Sequence, residues 1–226
     1  MSVEELGVKP DIGSPYYPFY KVVSGNTMAG AEELPYILTK YLMDLPEPGY
    51  TPPEDNRYPR ARLKKLMYWD GALPLEQPLP TTEQMKSIQF DPSHPGSEPD
   101  PERGYRIFSQ ELVRQAQAEA QTVLRIYLGN MDRVSTGHGF IFRQTVIYTI
   151  MVNYALEGNM KTTAASRAYQ IAQAILEATE GVNFGGVGGM MTLRMTKFED
   201  ERVNTGYKIY QQVDWAAGAP NPNYGG

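Results

Sequence analysis

Proline is distributed very unevenly along this chain of 226 residues. Sixteen of the eighteen prolines lie within the first 101 residues, and residues 102–219 contain none. Because proline fixes φ and removes an amide donor, the first part can form only short helices and extended or turning segments. The second part is free to form long helices and strands, so we expect the two parts to fold differently.

The proline pattern divides the chain into four predicted segments. Residues 1–30 predict an extended arm that carries the aromatic run YYPFY, and residues 31–104 predict a proline-rich segment with short helices. Residues 105–216 predict an α+β core domain, and residues 217–226 a flexible tail.

The proline-rich segment contains several short elements between its loops. Leucine spacing predicts a helix over 31–44, and a basic stretch predicts another over 60–68. Residues 73–80 read as extended or polyproline-like, and a capping-box spacing predicts a short helix over 82–89. Residues 90–104 are a long loop by composition.

The core domain shows clear periodicities. Helix formers predict a helix over 109–121, β-branched residues predict a strand over 122–128, and a loop follows up to Gly139. From Phe140 to Leu156 the residues divide into two faces with a period of two over seventeen positions, which would span about 55 Å as one strand.

The remainder of the domain predicts a helix over 161–179 and two antiparallel strands over 190–198 and 207–215, with EDE at 199–201 near the hairpin tip. This order of elements indicates an α+β fold, in which helices pack on one face of an antiparallel or mixed sheet.

A glycine-rich run, GVNFGGVGG, occupies residues 181–189 between the predicted helix and strand. A phosphate-binding loop would end in Lys followed by Ser or Thr, but Met190 and Met191 stand in those places. The run therefore predicts a flexible turn between helix and strand, in which the backbone can approach another chain closely.

The net charge of −5 disfavours a general grip on nucleic acid. The sequence offers a single candidate for a local positive patch, which we call the basic cluster. An ordinary solvated helix face is the alternative interpretation. The basic cluster comprises Arg57, Arg60, Arg62, Lys64 and Lys65.

No catalytic or metal-binding constellation stands out. The absence of cysteine excludes disulfides, thiol nucleophiles and cysteine-ligated metals, and His94 and His138 lack the spacing of metal ligands. The carboxylates of residues 91–102 lack the spacing of a calcium loop. We therefore expect no cofactor, no metal and no enzymatic activity.

The sequence also predicts a soluble protein made in a reducing cytoplasm, without membrane association. Its first residues lack the charged and apolar regions of a signal peptide. The most apolar run, residues 145–156, is too short to span a bilayer.

The second half resembles the tail-terminator and neck proteins of tailed bacteriophages. The resemblance rests on the order of elements from about 105 to 216: the strand FIFRQTVIYTIMVNYAL, the helix ASRAYQIAQAILEAT, the turn GVNFGGVGG and the closing strands MMTLRMTKF and YKIYQQVDW. The segment RARLKKLMYWDGALPLEQPLP is also similar to phage structural proteins, whereas the proline-rich first half departs from the compact terminator pattern.

The resemblance implies a structural subunit of the virion neck or tail. Such a subunit would form a homo-oligomeric ring of six that caps the tail tube and joins the tail to the head. Its partners would be tail tube, sheath and head-connector proteins, and DNA would pass through the lumen without specific binding. We expect aromatic and glycine residues at the subunit interfaces, namely Tyr16, Tyr17, Phe19, Tyr20, Trp69, Phe184, Gly185, Gly186 and Trp215.

Three alternatives remain open at this point. The nearest is a head-completion or connector protein of the neck. A more distant one is an enzyme acting on nucleic acid or cell wall, which would draw on His138, Arg143 or the carboxylates of 91–102. The third is a bacterial binding module that uses the basic cluster on acidic partners.

Overall fold

The computed structural model describes residues 31–43, 56, 58–80, 106–109, 122–136, 139–157, 165–185, 187–200 and 204–216. The predicted arm over 1–30, the helix predicted over 82–89, the loop 90–104 and the tail 217–226 lie outside the described residues. The helix predicted over 109–121 lies outside them from residue 110 onwards.

The described part of the chain contains the short helices predicted for the first half and the long helix predicted for the second half. They are α1 (Leu34–Met43), α2 (Pro59–Tyr68), a 3-10 turn (Pro74–Glu76), α3 (Tyr154–Glu157) and α4 (Arg167–Thr179). Proline at the start of α2 costs little, since the first amides of a helix have no intrahelical acceptor.

The five strands of the described part form one sheet with the order β1-β2-β3-β5-β4. They are β1 (Ile107–Phe108), β2 (Thr122–Thr136), β3 (Gly139–Asn153), β4 (Met191–Asp200) and β5 (Asn204–Ala216). β1 pairs in parallel with β2, and the other neighbours pair antiparallel, so the sheet is mixed.

The two faces of the sheet have different surroundings. On β3 the even-numbered residues Val146, Tyr148, Ile150 and Val152 are fully buried, and they form one hydrophobic cluster with residues of α1, α2 and α4. We call this side the inner face and the opposite side the outer face. The prediction of an α+β fold with helices on one face is confirmed.

The hairpin of β2 and β3 is longer than predicted on one strand and shorter on the other. The predicted loop after residue 128 is wrong, because β2 continues to Thr136 by pairing with β3. A bulge between Leu128 and Met131 takes up Gly129 and Asn130, whose low strand propensity suggested a loop. β3 ends at Asn153, and its last predicted residues form α3 instead.

Smaller differences affect three other elements. Residues 74–76 form a 3-10 turn where an extended segment was predicted. The helix predicted from residue 161 begins at Arg167. The Ser166 side chain caps it by accepting a hydrogen bond from the backbone N–H of Tyr169 at 3.2 Å. β4 extends to Asp200, so the first two residues of the predicted EDE tip belong to the strand.

The glycine-rich run folds back on itself between α4 and β4. Gly181 donates to the Met190 carbonyl and Met190 donates to the Val182 carbonyl, both at 2.8 Å. A Cβ at Gly189 would lie 2.2 Å from the carbonyl oxygen of Gly181, so only glycine fits there. The close backbone approach at this position is therefore within the chain, and an approach to another chain stays a prediction.

Candidate interaction surface

The outer face carries two neighbouring rows of residues that we call the basic face. Cross-strand pairing places these residues side by side across β2, β3, β5 and β4. The first row is Tyr127, Ile147, Tyr210 and Arg194, and the second row is Arg125, Thr149, Lys208 and Thr196.

The basic face contains three cations and no carboxylate. Arg194 is exposed and lies over the ring of Tyr210, with its guanidinium carbon 4.1 Å from the ring centroid. Lys208 is half-buried beside them, and Tyr127 shares a hydrogen bond of 3.2 Å with the hydroxyl of Thr149. A cation over an aromatic ring keeps its charge while losing freedom of movement, so the Arg194 charge has a defined position.

Carboxylates appear on the outer face two rows away, nearer the end of the long hairpin. There Arg143 is paired with Asp214 on β5 through bonds of 2.9 and 3.0 Å, and Asp132 faces Arg143 from β2. Hydrogen bonding to Asp214 and its charge raise the pKa of Arg143. This row holds two carboxylates and one cation, so it is acidic, unlike the basic face.

Strand β4 forms one exposed edge of the sheet. Its Met191 and Leu193 side chains are 53% and 50% exposed, and Val187 just before it is 45% exposed. The pairing with β5 shifts between Thr192 and Arg194, so Leu193 lies at a bulge. Among the described residues no strand pairs with β4 on the side away from β5, which leaves one row of its backbone groups available.

The opposite edge of the sheet is also largely open. β1 pairs with β2 at Leu124 and Arg125 only. From Ile126 to Thr136, β2 has no strand partner on the side away from β3 within the described part of the chain. The sheet thus has two different edges that could receive another strand.

The residues predicted at subunit interfaces have diverse positions. Phe184 and Trp215 are 1% and 0% exposed, and Phe184 packs edge-on against Tyr41 with ring centroids 5.0 Å apart. Both rings therefore serve the core of the single chain. Trp69 is half-buried and donates from its indole nitrogen to the Pro78 carbonyl at 2.9 Å.

Gly185 adopts a φ of +99°, a turn conformation that other residues rarely take. The remaining predicted interface residues, Tyr16, Tyr17, Phe19, Tyr20 and Gly186, lie outside the described residues. The interface role of the whole set stays a prediction, and the geometry brings none of the described members together into one surface patch.

The described members of the basic cluster are engaged within the chain. Arg62 pairs with Glu177 at 2.5 Å, and Arg60 lies over the Tyr41 ring at 4.7 Å. Lys64 and Lys65 are buried, and Lys65 donates to the Leu75 carbonyl at 3.4 Å. The inference that this cluster is the single candidate for a positive patch is wrong. Its described cations contact other groups of the same chain, and the basic face lies elsewhere, on the sheet.

Sequence reasoning missed the basic face because its cations are far apart along the chain. Arg125, Arg194 and Lys208 lie on three different strands. Only the register of the sheet brings them together. A sequence signal existed in part, since strand alternation predicts which side chains share a face, but the strand order was unknown.

A buried polar cluster lies at the start of α4. The Arg167 guanidinium donates to the carbonyls of Leu66, Trp69 and Gly71 at 3.1, 2.7 and 2.9 Å. Burial lowers the pKa of Arg167, and the nearby Asp70 charge opposes that shift. Arg106 pairs with Asp70 at 2.5 Å, so the cluster binds chain segments to each other.

The residues proposed for an enzyme do not converge in the part of the chain that can be examined. Arg143 is paired with Asp214 on the open sheet, while His138 and residues 91–102 are outside the described ranges. Among described residues no group of three acidic or histidine side chains could hold a metal ion. No helix in the described ranges is long and apolar enough to cross a bilayer.

Comparison with known proteins identifies a family for this chain. The YomW family matches residues 61–213, which extends from α2 to within β5 and includes the whole basic face. No curated protein matches the chain. The matched region spans more than half of the chain, so this protein belongs to the YomW family, whose phage association indicates a phage-derived protein.

Proposed function

We propose that this protein is a non-enzymatic structural subunit of a tailed-phage virion, and that it acts as the tail terminator of the neck. In this role copies of the chain form a ring, with six as the expected number. The ring caps the tail tube, contacts sheath and head-connector proteins, and lets DNA pass through its lumen. The proposal joins the phage origin of the family to the resemblance of residues 105–216 to terminator proteins.

The observation that carries the proposal is the pair of different open edges on one sheet. A ring of identical subunits needs a head-to-tail interface, in which one surface of each copy meets a different surface of the next. The β4 edge and the β2 edge from Ile126 to Thr136 are two such surfaces within the described chain. Pairing them between copies would continue the sheet from subunit to subunit.

Side chains at the β4 edge support this interface. Met191 and Leu193 offer exposed apolar surface at the start of the strand, and the bulge there shapes the edge for a specific partner. Lys197 on the same strand opposes unselective pairing, because a cation on an edge disfavours strands that do not match it. The length of β2 and β3, about 50 Å each, gives the sheet reach beyond its own core.

The experiment that tests the proposal is light scattering after size exclusion, with negative-stain imaging of the same fractions. The chain should form a ring by itself or after addition of purified tail tubes. Leu193→Lys should abolish the ring while leaving the monomer folded, since it places a charge at the proposed apolar contact.

Tyr58→Lys is the matched control. Tyr58 is 47% exposed at the start of α2, on the helical side of the sheet, so this change should leave assembly intact. A chain that stays monomeric at high concentration with tail tubes present would refute the proposal. Equal loss of assembly in both variants would reject the β4 edge as the contact.

A head-completion or connector protein is the second candidate, and the same two open edges favour it equally. The choice between them depends on what the ring binds. A terminator ring should bind the end of a purified tail tube, whereas a connector ring should bind tail-less heads.

A further inference from the structure

We propose that the outer face over β2 and β3 is a docking surface for residues 109–121, the segment that connects β1 to β2. The proposal goes beyond the structural role suggested above, because it concerns the single chain. It rests on two independent observations, the directions of the strands and the burial of outer-face residues. Residues 110–121 lie outside the described residues, and the described elements on either side of them constrain the path.

The connection between β1 and β2 has to be a crossover. β1 ends at Phe108 and pairs in parallel with β2, which begins at Thr122. Two neighbouring parallel strands cannot be joined by a hairpin, so their connection returns over one face of the sheet and needs about a dozen residues or more. The thirteen residues 109–121 meet this requirement.

A second crossover in the same sheet indicates which face is crossed. β3 and β4 both pair antiparallel with β5, so they are parallel to each other, and their connection contains α4 on the inner face. Both connections move across the sheet in the same direction, but β1 runs opposite to β3. Crossovers of this kind are right-handed in about 98% of cases. Two right-handed crossovers that move the same way from oppositely directed strands lie on opposite faces, so residues 109–121 cross the outer face.

Burial on the outer face agrees with this path. Val123 on β2 and Thr149 on β3 occupy outer-face positions, yet they are 2% and 5% exposed. The Nε atom of Arg125, in the same area, is also buried. Every described α-helix contributes to the inner-face cluster, and Val123 is not a member of that cluster. A cover from outside the described residues is therefore needed over β2 and β3.

The burial is confined to one side of the outer face. Thr196 on β4 stands in the same row as Thr149, and it is exposed, as is Arg194 in the next row. Position in the sheet alone would expose the start of β2 nearly as much as β4, since only the two residues of β1 lie beyond it. The cover thus lies on the β1 side of the sheet, where the connection between β1 and β2 belongs.

The composition of the connection suits this surface. One row of the outer face has no charged side chain, and it consists of Val123, Met151, Gly206 and Phe198. Apolar residues recur at helical spacing within the connection, namely Leu112, Val113, Ala116 and Ala120. An apolar stripe on the segment and an uncharged row on the sheet can bury each other, which commits the surface to this occupant.

The test is disulfide formation between paired cysteines in the full chain, which has no cysteine of its own. Thr149→Cys is combined in turn with Leu112→Cys, Val113→Cys, Ala116→Cys or Ala120→Cys, and monomers isolated by size exclusion are mildly oxidised. At least one pair should form an intrachain disulfide in most molecules. A disulfide requires Cα atoms within about 7 Å, so its formation reports direct packing of the segment on the outer face.

Thr196→Cys with the same four partners is the matched control. It changes the same type of residue in the same row, but two strands further on, about 10 Å from Thr149. These pairs should stay reduced. As single cysteines, Thr149→Cys should react with a maleimide at least about tenfold more slowly than Thr196→Cys in the native chain, and equally fast in urea.

Met151→Cys takes the place of Thr149→Cys if the latter folds poorly, because Met151 is half-buried on the same face. Absence of a disulfide from all four pairs at both positions would overturn the proposal, even with Thr149→Cys protected, since another segment would then be the cover. Equal disulfide formation with Thr196→Cys would overturn it as well. All measurements use monomers, so failure to form a ring and failure of this proposal are distinguishable.

Discussion

Arg167 at the start of α4 donates to the carbonyl oxygen of Trp69, just after α2, at 2.7 Å. The same guanidinium reaches the carbonyls of Leu66 and Gly71, and the side chain is fully buried. These carbonyls at the end of α2 and after it have few helical partners, and the arginine satisfies them from another helix. The bond therefore joins a segment of the proline-rich half to the α+β core.

Replacing Arg167 with Met should destabilise the protein by about 3 to 5 kcal/mol. The substitution keeps much of the side-chain volume but leaves three carbonyls without their donor, and removing one partner of a buried charged contact is costly. The midpoint and slope of urea unfolding, followed by circular dichroism, measure the change.

Arg62→Met is the control for this prediction. Arg62 also joins α2 to α4, through Glu177, but the side chains of that pair are 17% and 40% exposed. Its loss should cost less than about 1 kcal/mol, because solvent screens the pair. Similar losses in the two variants would show that Arg167 is no more than an ordinary surface contact.

Gly206 on β5 is a position where an added methyl group should be poorly tolerated. A Cβ there would lie 1.8 Å from the carbonyl oxygen of Ile150, so β3 and β5 would have to separate. Gly206→Ala should destabilise the fold by about 3 kcal/mol or more, measured by urea unfolding.

Gly71→Ala is the matched substitution. A Cβ at Gly71 would have no atom within 4 Å, so its stability should stay within about 0.5 kcal/mol of the original. If Gly206→Ala were equally silent, the close approach of β5 to Ile150 would be absent in solution.

Much of the fold could be predicted because its signals are local. The periodicity over β3 placed Val146, Tyr148 and Ile150 on one face of the strand, and the fold buries all three together with Ile171 and Ile175 of the predicted helix α4. Such periodicities report which side of an element faces the core. The α+β class followed from the order of these elements.

What could not be predicted depends on pairing between distant strands. Asp132 and Arg133 looked like loop residues, yet they extend β2 because β3 offers them partners. Lys64 and Lys65 looked like a solvated basic surface, yet they are buried where α2 packs. The basic face was missed for the same reason, since the register of four strands creates it.

Phe184 tests whether an aromatic residue expected at a subunit interface instead stabilises the single chain. Its ring is 1% exposed against Tyr41, so Phe184→Ala should lower the stability of the monomer by about 3 to 5 kcal/mol. Val187→Ala, in the same glycine-rich run but 45% exposed, should change it by less than about 0.5 kcal/mol. Both are measured by thermal and urea unfolding at concentrations where only monomer is present. If Phe184→Ala left the stability of the monomer unchanged, the ring would instead be assigned to the subunit interface.

Tyr148 should make the protein sensitive to alkali. Its ring is fully buried on the inner face, its hydroxyl donates to the Met190 sulfur at 3.3 Å, and burial raises the pKa of the phenol above its usual value of about 10. Because the folded state resists losing this proton, its contribution is complete below pH about 10 and is lost as the pH rises beyond it, at about 1.4 kcal/mol per pH unit. Tyr148→Phe should flatten the decline of unfolding free energy above pH 10 by this amount. Met190→Leu, which removes only the acceptor, should lower stability at every pH without flattening it, and equal slopes in Tyr148→Phe and the original chain would contradict the prediction.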